Sequence, residues 1–95
     1  MAVYTRCGGS CDLYLYDFAK RAERRLNRPS SASDEWLPAI WRNRVAFVRN
    51  VGRRDHLYVQ SLEGGTAHEI RGGRGFYDEI DLRGRRVAFV RDREF

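Results

Sequence analysis

Hydrophobic residues in this chain occur in short runs of β-branched, aromatic and leucine side chains, separated by Gly, Asn, Asp and Arg. Runs of this kind predict β-strands. Helical periodicity is poor, because the one helix-like stretch, residues 17–26, has irregular apolar spacing. The pattern therefore predicts an all-β antiparallel architecture with nine short strands, at residues 3–6, 13–18, 23–27, 36–41, 45–49, 57–62, 67–71, 80–82 and 87–91.

Two stretches of the sequence repeat with nearly the same period. Residues 44–49 and 86–91 both read RVAFVR, an identity of six positions at an offset of 42. Residues 13–18 resemble residues 57–62 at an offset of 44. A period of about 40–45 residues that contains four strands is typical of a propeller blade. A nine-stranded sandwich is the alternative, but it leaves the six-residue identity unexplained.

The period divides the chain into three units. Residues 1–35 supply the second to fourth strands of one blade and a linker, residues 36–76 form a complete four-stranded blade, and residues 77–95 supply the first two strands of the next. The expected fold class is thus about two blades' worth of a larger propeller. Known propellers have at least about four blades, so we expect exposed blade edges and either self-association of the chain or poor order outside residues 36–71.

Charge changes the expected function little. The net charge is +5, and arginine supplies seventeen of the eighteen basic residues. These arginines lie at turns and strand ends among acidic residues, which predicts a solvated surface rather than a nucleic-acid stripe on one element. No apolar run approaches the ~18 residues that a membrane helix needs, so membrane insertion is not expected.

The two cysteines lie close together in Cys7-Gly8-Gly9-Ser10-Cys11. Their spacing is one residue longer than that of a Cys-x-x-Cys redox pair, and His56 and His68 are not spaced as zinc ligands. We therefore expect no metal site. A short disulfide across a turn is the favoured interpretation and indicates an oxidising compartment, while two unpaired thiols are the alternative.

Signatures of catalysis are missing from the sequence. No serine lies in a Gly-x-Ser-x-Gly elbow, and neither histidine is phased with an acid and a nucleophile. The glycine pairs are not followed by helix signals, so a phosphate-binding loop is not expected either. The sequence predicts a protein that is not an enzyme and needs no cofactor.

The repeats resemble the TolB-type, WD-like propeller repeat. Its second strand typically reads G/N-x-R-I/V-A-F, its third L/I-Y-L/V-x-D/S-L/F and its fourth x-x-R/E-L/I. The second-strand matches are Asn43-Arg44-Val45-Ala46-Phe47 and Gly84-Arg85-Arg86-Val87-Ala88-Phe89, the third-strand matches are Leu13-Tyr14-Leu15-Tyr16-Asp17-Phe18 and Leu57-Tyr58-Val59-Gln60-Ser61-Leu62, and the fourth-strand matches are Glu23-Arg24-Arg25-Leu26 and His68-Glu69-Ile70. The usual W-S-P-D-G entry is absent, so the repeats are degenerate.

The resemblance implies a binding scaffold for a protein or ligand, located in the periplasm or outside the cell. It also allows an alternative, a piece of the gating propeller of a prolyl-oligopeptidase-like serine peptidase whose catalytic domain lies elsewhere. In propellers the first strand of each blade lines the central channel. Carboxylates beside aromatic rings there suit a cation, a basic partner or a peptide amine, and ordinary packing between blades is the alternative. The binding candidates are Asp34, Glu35 and Trp36 in one blade and Tyr77, Asp78 and Glu79 in the next.

One first strand carries both tryptophans. Trp36 and Trp41 are five positions apart, and side chains alternate between the two faces of a regular strand. We therefore expect the two indoles on opposite faces, one in the core and the other exposed.

Overall fold

The computed structural model describes residues 1–27, 33–51, 54–63, 66–71 and 76–92. These residues form antiparallel strands and no helix, which confirms the prediction of an all-β antiparallel fold. Each of the nine predicted strands has a counterpart. The strands are β1 (Ala2–Gly8), β2 (Ser10–Asp17), β3 (Ala22–Arg25), β4 (Ser33–Trp41), β5 (Arg44–Val51), β6 (Arg54–Ser61), β7 (His68–Arg71), β8 (Phe76–Arg83) and β9 (Arg86–Asp92).

The strands form three successive sheets, each of which follows the order of the chain. The first sheet is β1-β2-β3, the central sheet is β4-β5-β6-β7, and the third sheet is β8-β9. Consecutive strands are neighbours because short turns connect antiparallel strands directly. The unit boundaries expected at 35/36 and 76/77 fall inside β4 and β8, since both strands begin earlier than predicted.

The helix-like stretch at residues 17–26 forms a turn followed by β3. The Asp17 carboxylate accepts the backbone N–H groups of Ala19 at 3.0 Å and Lys20 at 3.2 Å. A side chain that satisfies its own backbone in this way favours a turn over a helix. Arg21 completes the turn with a positive φ of 51°.

Strand register repeats between sheets. Tyr4 pairs with Tyr14 across β1 and β2, and Phe47 pairs with Tyr58 across β5 and β6, at offsets of 43 and 44 residues. The β4–β5 and β8–β9 hairpins also correspond, since the partner of Arg49 is Glu35 and the partner of Arg91, 42 residues later, is Tyr77. The sequence period is therefore also a period of strand pairing.

The central sheet is packed between the other two. Four consecutive side chains of β5, Val45 to Val48, are 0% exposed, as expected of a strand covered on both faces. Val45 and Phe47 pack with Leu13 and Leu15 of the first sheet. The alternate residues of β5 face the third sheet, where the core residues are Ala46, Val48, Leu57, Val59, Tyr77 and Leu82.

Trp36 and Trp41 both pack toward the third sheet, with Ile80 and Val87. The prediction that they occupy opposite faces is wrong, because the β4–β5 register shifts between Trp36 and Ala39. This bulge inserts one extra residue into β4, so two side chains five positions apart point to the same face instead of to opposite faces. Leu37 has a positive φ of 51° there, and the following Pro38 is tolerated because β4 is the edge strand of its sheet.

Candidate functional site

Buried polar groups concentrate at one end of the three sheets. This end, called the rim below, carries the β1–β2 turn and the first residues of β4, β6 and β8. Asp12, Glu35 and Asp55 lie there with exposures of 7%, 5% and 1%. Buried carboxylates need hydrogen bonds or ionic partners, so the rim is held together by polar contacts.

Glu35 pairs with an arginine of the neighbouring strand. One carboxylate oxygen accepts from the Arg49 guanidinium, at 3.0 Å from Nε and 2.7 Å from Nη2. Asn27, which follows β3 in the first sheet, donates from its side-chain amide to both oxygens at 3.2 Å. Glu35 therefore links two sheets and neutralises a cation at the same time.

Two further contacts between sheets at the rim each use a carboxylate and a backbone N–H. Asp34 accepts the N–H of Cys11 at 2.8 Å, which joins the first sheet to the central one. Asp55 accepts the N–H of Tyr77 at 3.3 Å, which joins the central sheet to the third. Its second oxygen accepts from the Asn50 amide at 3.0 Å.

A disulfide closes the first hairpin at the rim. Cys7 and Cys11 are opposed across β1 and β2, and the structure joins their sulfurs. Between them Gly9 has a φ of 89°, a conformation that favours glycine. At the corresponding position of the β5–β6 hairpin, Asn50 and Asp55 are opposed and hydrogen-bonded. The first hairpin thus has a covalent link where the second has a hydrogen bond.

The six binding candidates differ in exposure and surroundings, and two of them, Trp36 and Tyr77, pack in the same core cluster. Asp34 and Trp36 are half-buried on β4, and Glu35 is buried in its ion pair. The Tyr77 ring is buried in the core. Glu79 is exposed on β8, a strand that contacts β4, while the side chain of Asp78 lies outside the described residues. Their role as binding residues stays a prediction.

The structure also contains an arginine–aromatic cluster that the sequence pattern did not predict. Arg49 lies over the Tyr58 ring at 4.6 Å, with Phe47 stacked on Tyr58 at 5.8 Å. The first sheet repeats the arrangement, with Arg6 over Tyr14 at 4.8 Å and Tyr4 stacked on Tyr14 at 6.2 Å. Arg6 and Arg49 occupy equivalent positions of the sequence repeat, and this equivalence could have predicted the cluster.

The cluster on the first sheet also contains an acid. Glu23 accepts from the Tyr4 hydroxyl and from the Arg6 guanidinium. The hydrogen bond to Glu23 raises the pKa of Tyr4 above its ordinary value. The same bond, aided by Arg6, lowers the pKa of the Glu23 carboxyl. The pair thus favours a carboxylate that accepts from a protonated phenol.

A polar cleft of about 170 Å³ lies between this cluster and the disulfide hairpin. Pockets for drug-sized ligands and cofactors usually measure about 300–1,000 Å³. The cleft therefore suits a side chain or a small ion better than a cofactor. Its lining residues are Arg6, Cys7, Gly8, Ser10, Asp12, Tyr14 and Arg25.

The described residues contain neither a candidate metal centre nor a candidate membrane-spanning helix. Among the described residues, no three His, Cys, Asp or Glu side chains converge in a way that could hold a metal ion. That part of the chain also has no helix with the length and apolarity needed to cross a bilayer.

No protein-family model matches the chain, and no curated protein sequence matches it. The internal repeat is therefore the main guide to function.

Proposed function

We propose that the chain is a run of TolB-like β-propeller blades that serves as a protein-binding scaffold. The observation that carries this proposal is the repeated register of three stacked sheets, with offsets of 42 to 44 residues between equivalent pairs. The blades of a propeller are successive sheets in which the strands pair in the same register. A sandwich gives no reason for the pairing to repeat with the sequence.

The division of strands among the sheets supports the same assignment. The central sheet is a four-stranded meander, as a blade is. In register, β1 corresponds to β5, and β8 corresponds to β4. The first sheet then holds strands two to four of a blade and the third sheet holds strands one and two.

The two first strands have an acidic composition that suggests the kind of partner. β4 contains two acidic residues and no basic one, and β8 contains three acidic residues and one arginine. The whole chain, in contrast, has a net charge of +5. Acidic strands on an otherwise basic chain suit a partner that presents lysine or arginine.

Within β4, Asp34 and Trp36 are the residues best placed to contact such a partner. Asp34 is half-buried, and its carboxylate accepts the Cys11 N–H. Trp36 is half-buried two positions away on the same strand. The Asp34 carboxylate bonds to the first sheet and the Trp36 indole packs toward the third, so the two can contact different groups of such a partner, the first by charge and the second through its ring face. Glu35 contributes less, since Arg49 already neutralises it.

Binding of a decapeptide of alternating Lys and Gly, followed by fluorescence anisotropy, tests the proposal. Asp34→Asn keeps an oxygen for the Cys11 N–H but removes the charge, and should weaken binding about two- to fivefold, as expected of a partly exposed ion pair. Glu63→Gln removes an exposed carboxylate in the turn after β6 and serves as the matched control. Equal losses in the two variants, or no peptide binding at all, would contradict the proposed site.

A further inference from the structure

Strands β5 and β9 share the sequence RVAFVR but differ in their neighbours. β5 pairs with β4 on one edge and with β6 on the other, whereas β9 pairs with β8 alone among the described strands. The pairing with the preceding strand has the same register in both sheets, since Trp41 opposes Arg44 and, 42 residues later, Arg83 opposes Arg86. The second edge of β9 therefore corresponds to the edge of β5 that β6 occupies.

One hydrogen bond shows which backbone groups of β5 bond to β6. The Leu62 N–H donates to the Asn43 carbonyl oxygen at 2.9 Å, and this pair continues the β5–β6 register. Because hydrogen-bonded and non-hydrogen-bonded pairs alternate along an antiparallel ladder, Val45 and Phe47 also direct their N–H and C=O groups to β6. The equivalent residue Val87 then directs its N–H and C=O groups away from β8, toward the second edge of β9.

Aromatic side chains on the two strands differ in how well they are covered. Phe47 is 0% exposed, and its ring is stacked on Tyr58 of β6 at a centroid distance of 5.8 Å. Phe89, at the equivalent position of β9, contacts the Tyr77 ring edge-on and is still 36% exposed. A further strand beside β9 would place a side chain opposite Phe89, just as Tyr58 lies opposite Phe47. An aromatic ring at that position would cover the exposed part of Phe89.

Two strand pairs within the chain show which sequence fits this edge. β6 carries Leu57-Tyr58-Val59 along β5, and β2 carries Leu13-Tyr14-Leu15 along β1. In both pairs the tyrosine lies opposite an aromatic residue, Phe47 in β5 and Tyr4 in β1. The strands β2 and β6 of a second copy are themselves paired on both edges, so the segment that fits β9 belongs to a different protein.

We infer that β9 binds an extended segment of a partner protein by antiparallel strand addition, and that this segment carries a tyrosine between two aliphatic residues. Main-chain hydrogen bonds to β9 supply affinity, and the tyrosine opposite Phe89 supplies selectivity. The inference goes beyond the proposed function, because it concerns another surface and depends on the identity of β5 and β9 rather than on the blade assignment.

A fluorescent octapeptide with the sequence of residues 55–62 is the probe, and its anisotropy on titration with the 95-residue chain measures binding. In the β5–β6 pairing the N–H groups of Tyr58 and Gln60 point to the neighbouring second strand, and those of Leu57 and Val59 point away from it. A peptide N-methylated at Tyr58 and Gln60 should therefore lose binding. The matched peptide, N-methylated at Leu57 and Val59, should bind as the unmodified one does.

Side-chain substitutions test the selectivity. Tyr58→Ser in the peptide should raise the dissociation constant about three- to tenfold, as expected for the loss of an aromatic pair. Phe89→Ser in the chain should have the same effect. Phe18→Ser, at a phenylalanine that is 62% exposed in the turn after β2, should leave binding unchanged. Circular dichroism of both chain variants checks that their sheets are intact.

Hydrogen exchange at the Val87 amide locates the bound peptide. This N–H should exchange more slowly when the peptide is present, while the amide of Val45, which β6 already protects, should not change. Equal binding of the two N-methylated peptides, no binding of the unmodified peptide, or a Val87 amide that does not respond would each overturn the inference. Protection of Val87 that rises with chain concentration without peptide would identify a second copy as the occupant, and would overturn it too.

These outcomes are separate from the test of basic-peptide binding. Asp34 and Trp36, which carry that proposal, lie on β4, and the octapeptide contains no lysine or arginine. A chain that binds the Lys-Gly peptide but not the octapeptide would overturn only the strand addition. A chain that binds only the octapeptide would overturn only the proposed function.

Discussion

The Asp34 carboxylate accepts the backbone N–H of Cys11 at 2.8 Å. This bond attaches the disulfide hairpin to the first strand of the central sheet. It also spans 23 residues of sequence, so it couples the two sheets at the rim rather than stabilising a local turn. The disulfide and this bond together fix the end of the first sheet next to the proposed binding residues.

Loss of the disulfide should lower stability by a modest amount. Its closed loop contains five residues, from Cys7 to Cys11, and the chain-entropy relation gives about 2 kcal/mol for a loop of that size. Denaturant unfolding of Cys7→Ser with Cys11→Ser should show this loss. A phosphine reductant should destabilise the wild type and leave the double variant unchanged. Two free thiols by titration of the unreduced wild type would contradict the disulfide and the oxidising compartment that it indicates.

Removal of the acidic partner should destabilise the protein more at Arg49 than at the equivalent Arg6. Glu35 is buried with Arg49, whereas the Arg6–Glu23 pair is exposed. Glu35→Gln should therefore cost about 1–3 kcal/mol of unfolding free energy, because it leaves a partly buried guanidinium poorly satisfied. Glu23→Gln should cost at most about 1 kcal/mol. Denaturant unfolding of both variants measures the two losses of unfolding free energy. Equal losses would show that burial does not make the Glu35–Arg49 pair more stabilising than the Arg6–Glu23 pair.

The Tyr4–Glu23 hydrogen bond should depend on pH at both extremes. The pKa of Glu23 is lowered from 4.5, so its contribution to stability is present above 4.5 and is lost as the pH falls through the lower folded value. The pKa of Tyr4 is raised from 10.0, so its contribution is present below 10.0 and is lost as the pH rises through the higher folded value.

Carbon-detected NMR titration of Glu23 and of the Tyr4 ring measures both midpoints. Because the bond to Glu23 is the largest cause of the Tyr4 shift, Glu23→Gln should return the Tyr4 midpoint toward 10.0. A Tyr4 midpoint that does not respond to the substitution would rule out the hydrogen bond as its cause.

The repeat and the strand pattern were sufficient to predict an all-β antiparallel fold and all nine strands, because both depend on local composition and spacing. The strand starts were less accurate. β4 begins at Ser33 and β6 at Arg54, where polar residues lack a strand-like pattern and extend the sheets by pairing at the rim. The sequence pattern also did not predict the bulge at Leu37, which places Trp41 on the same face as Trp36.

The candidate site was harder to predict than the fold. Asp34 and Glu35 are adjacent acids in the sequence, but their partners Cys11, Asn27 and Arg49 come from distant parts of the chain. Only the three-dimensional arrangement shows that one of these acids is already neutralised. A sequence pattern can place carboxylates on a strand, but it cannot show which of them a neighbouring sheet uses.

The hexapeptide RVAFVR occurs in two different settings, in β5 with both faces covered and in β9 at the open side of a two-stranded sheet. Four consecutive apolar residues of high β-propensity on an edge strand are the kind of segment that nucleates amyloid-like aggregation. Arginine brackets the segment at both ends, as gatekeeper residues do. Both copies of the segment therefore carry the same flanking arginines, and we expect those of β9 to oppose unspecific pairing of this strand with other chains.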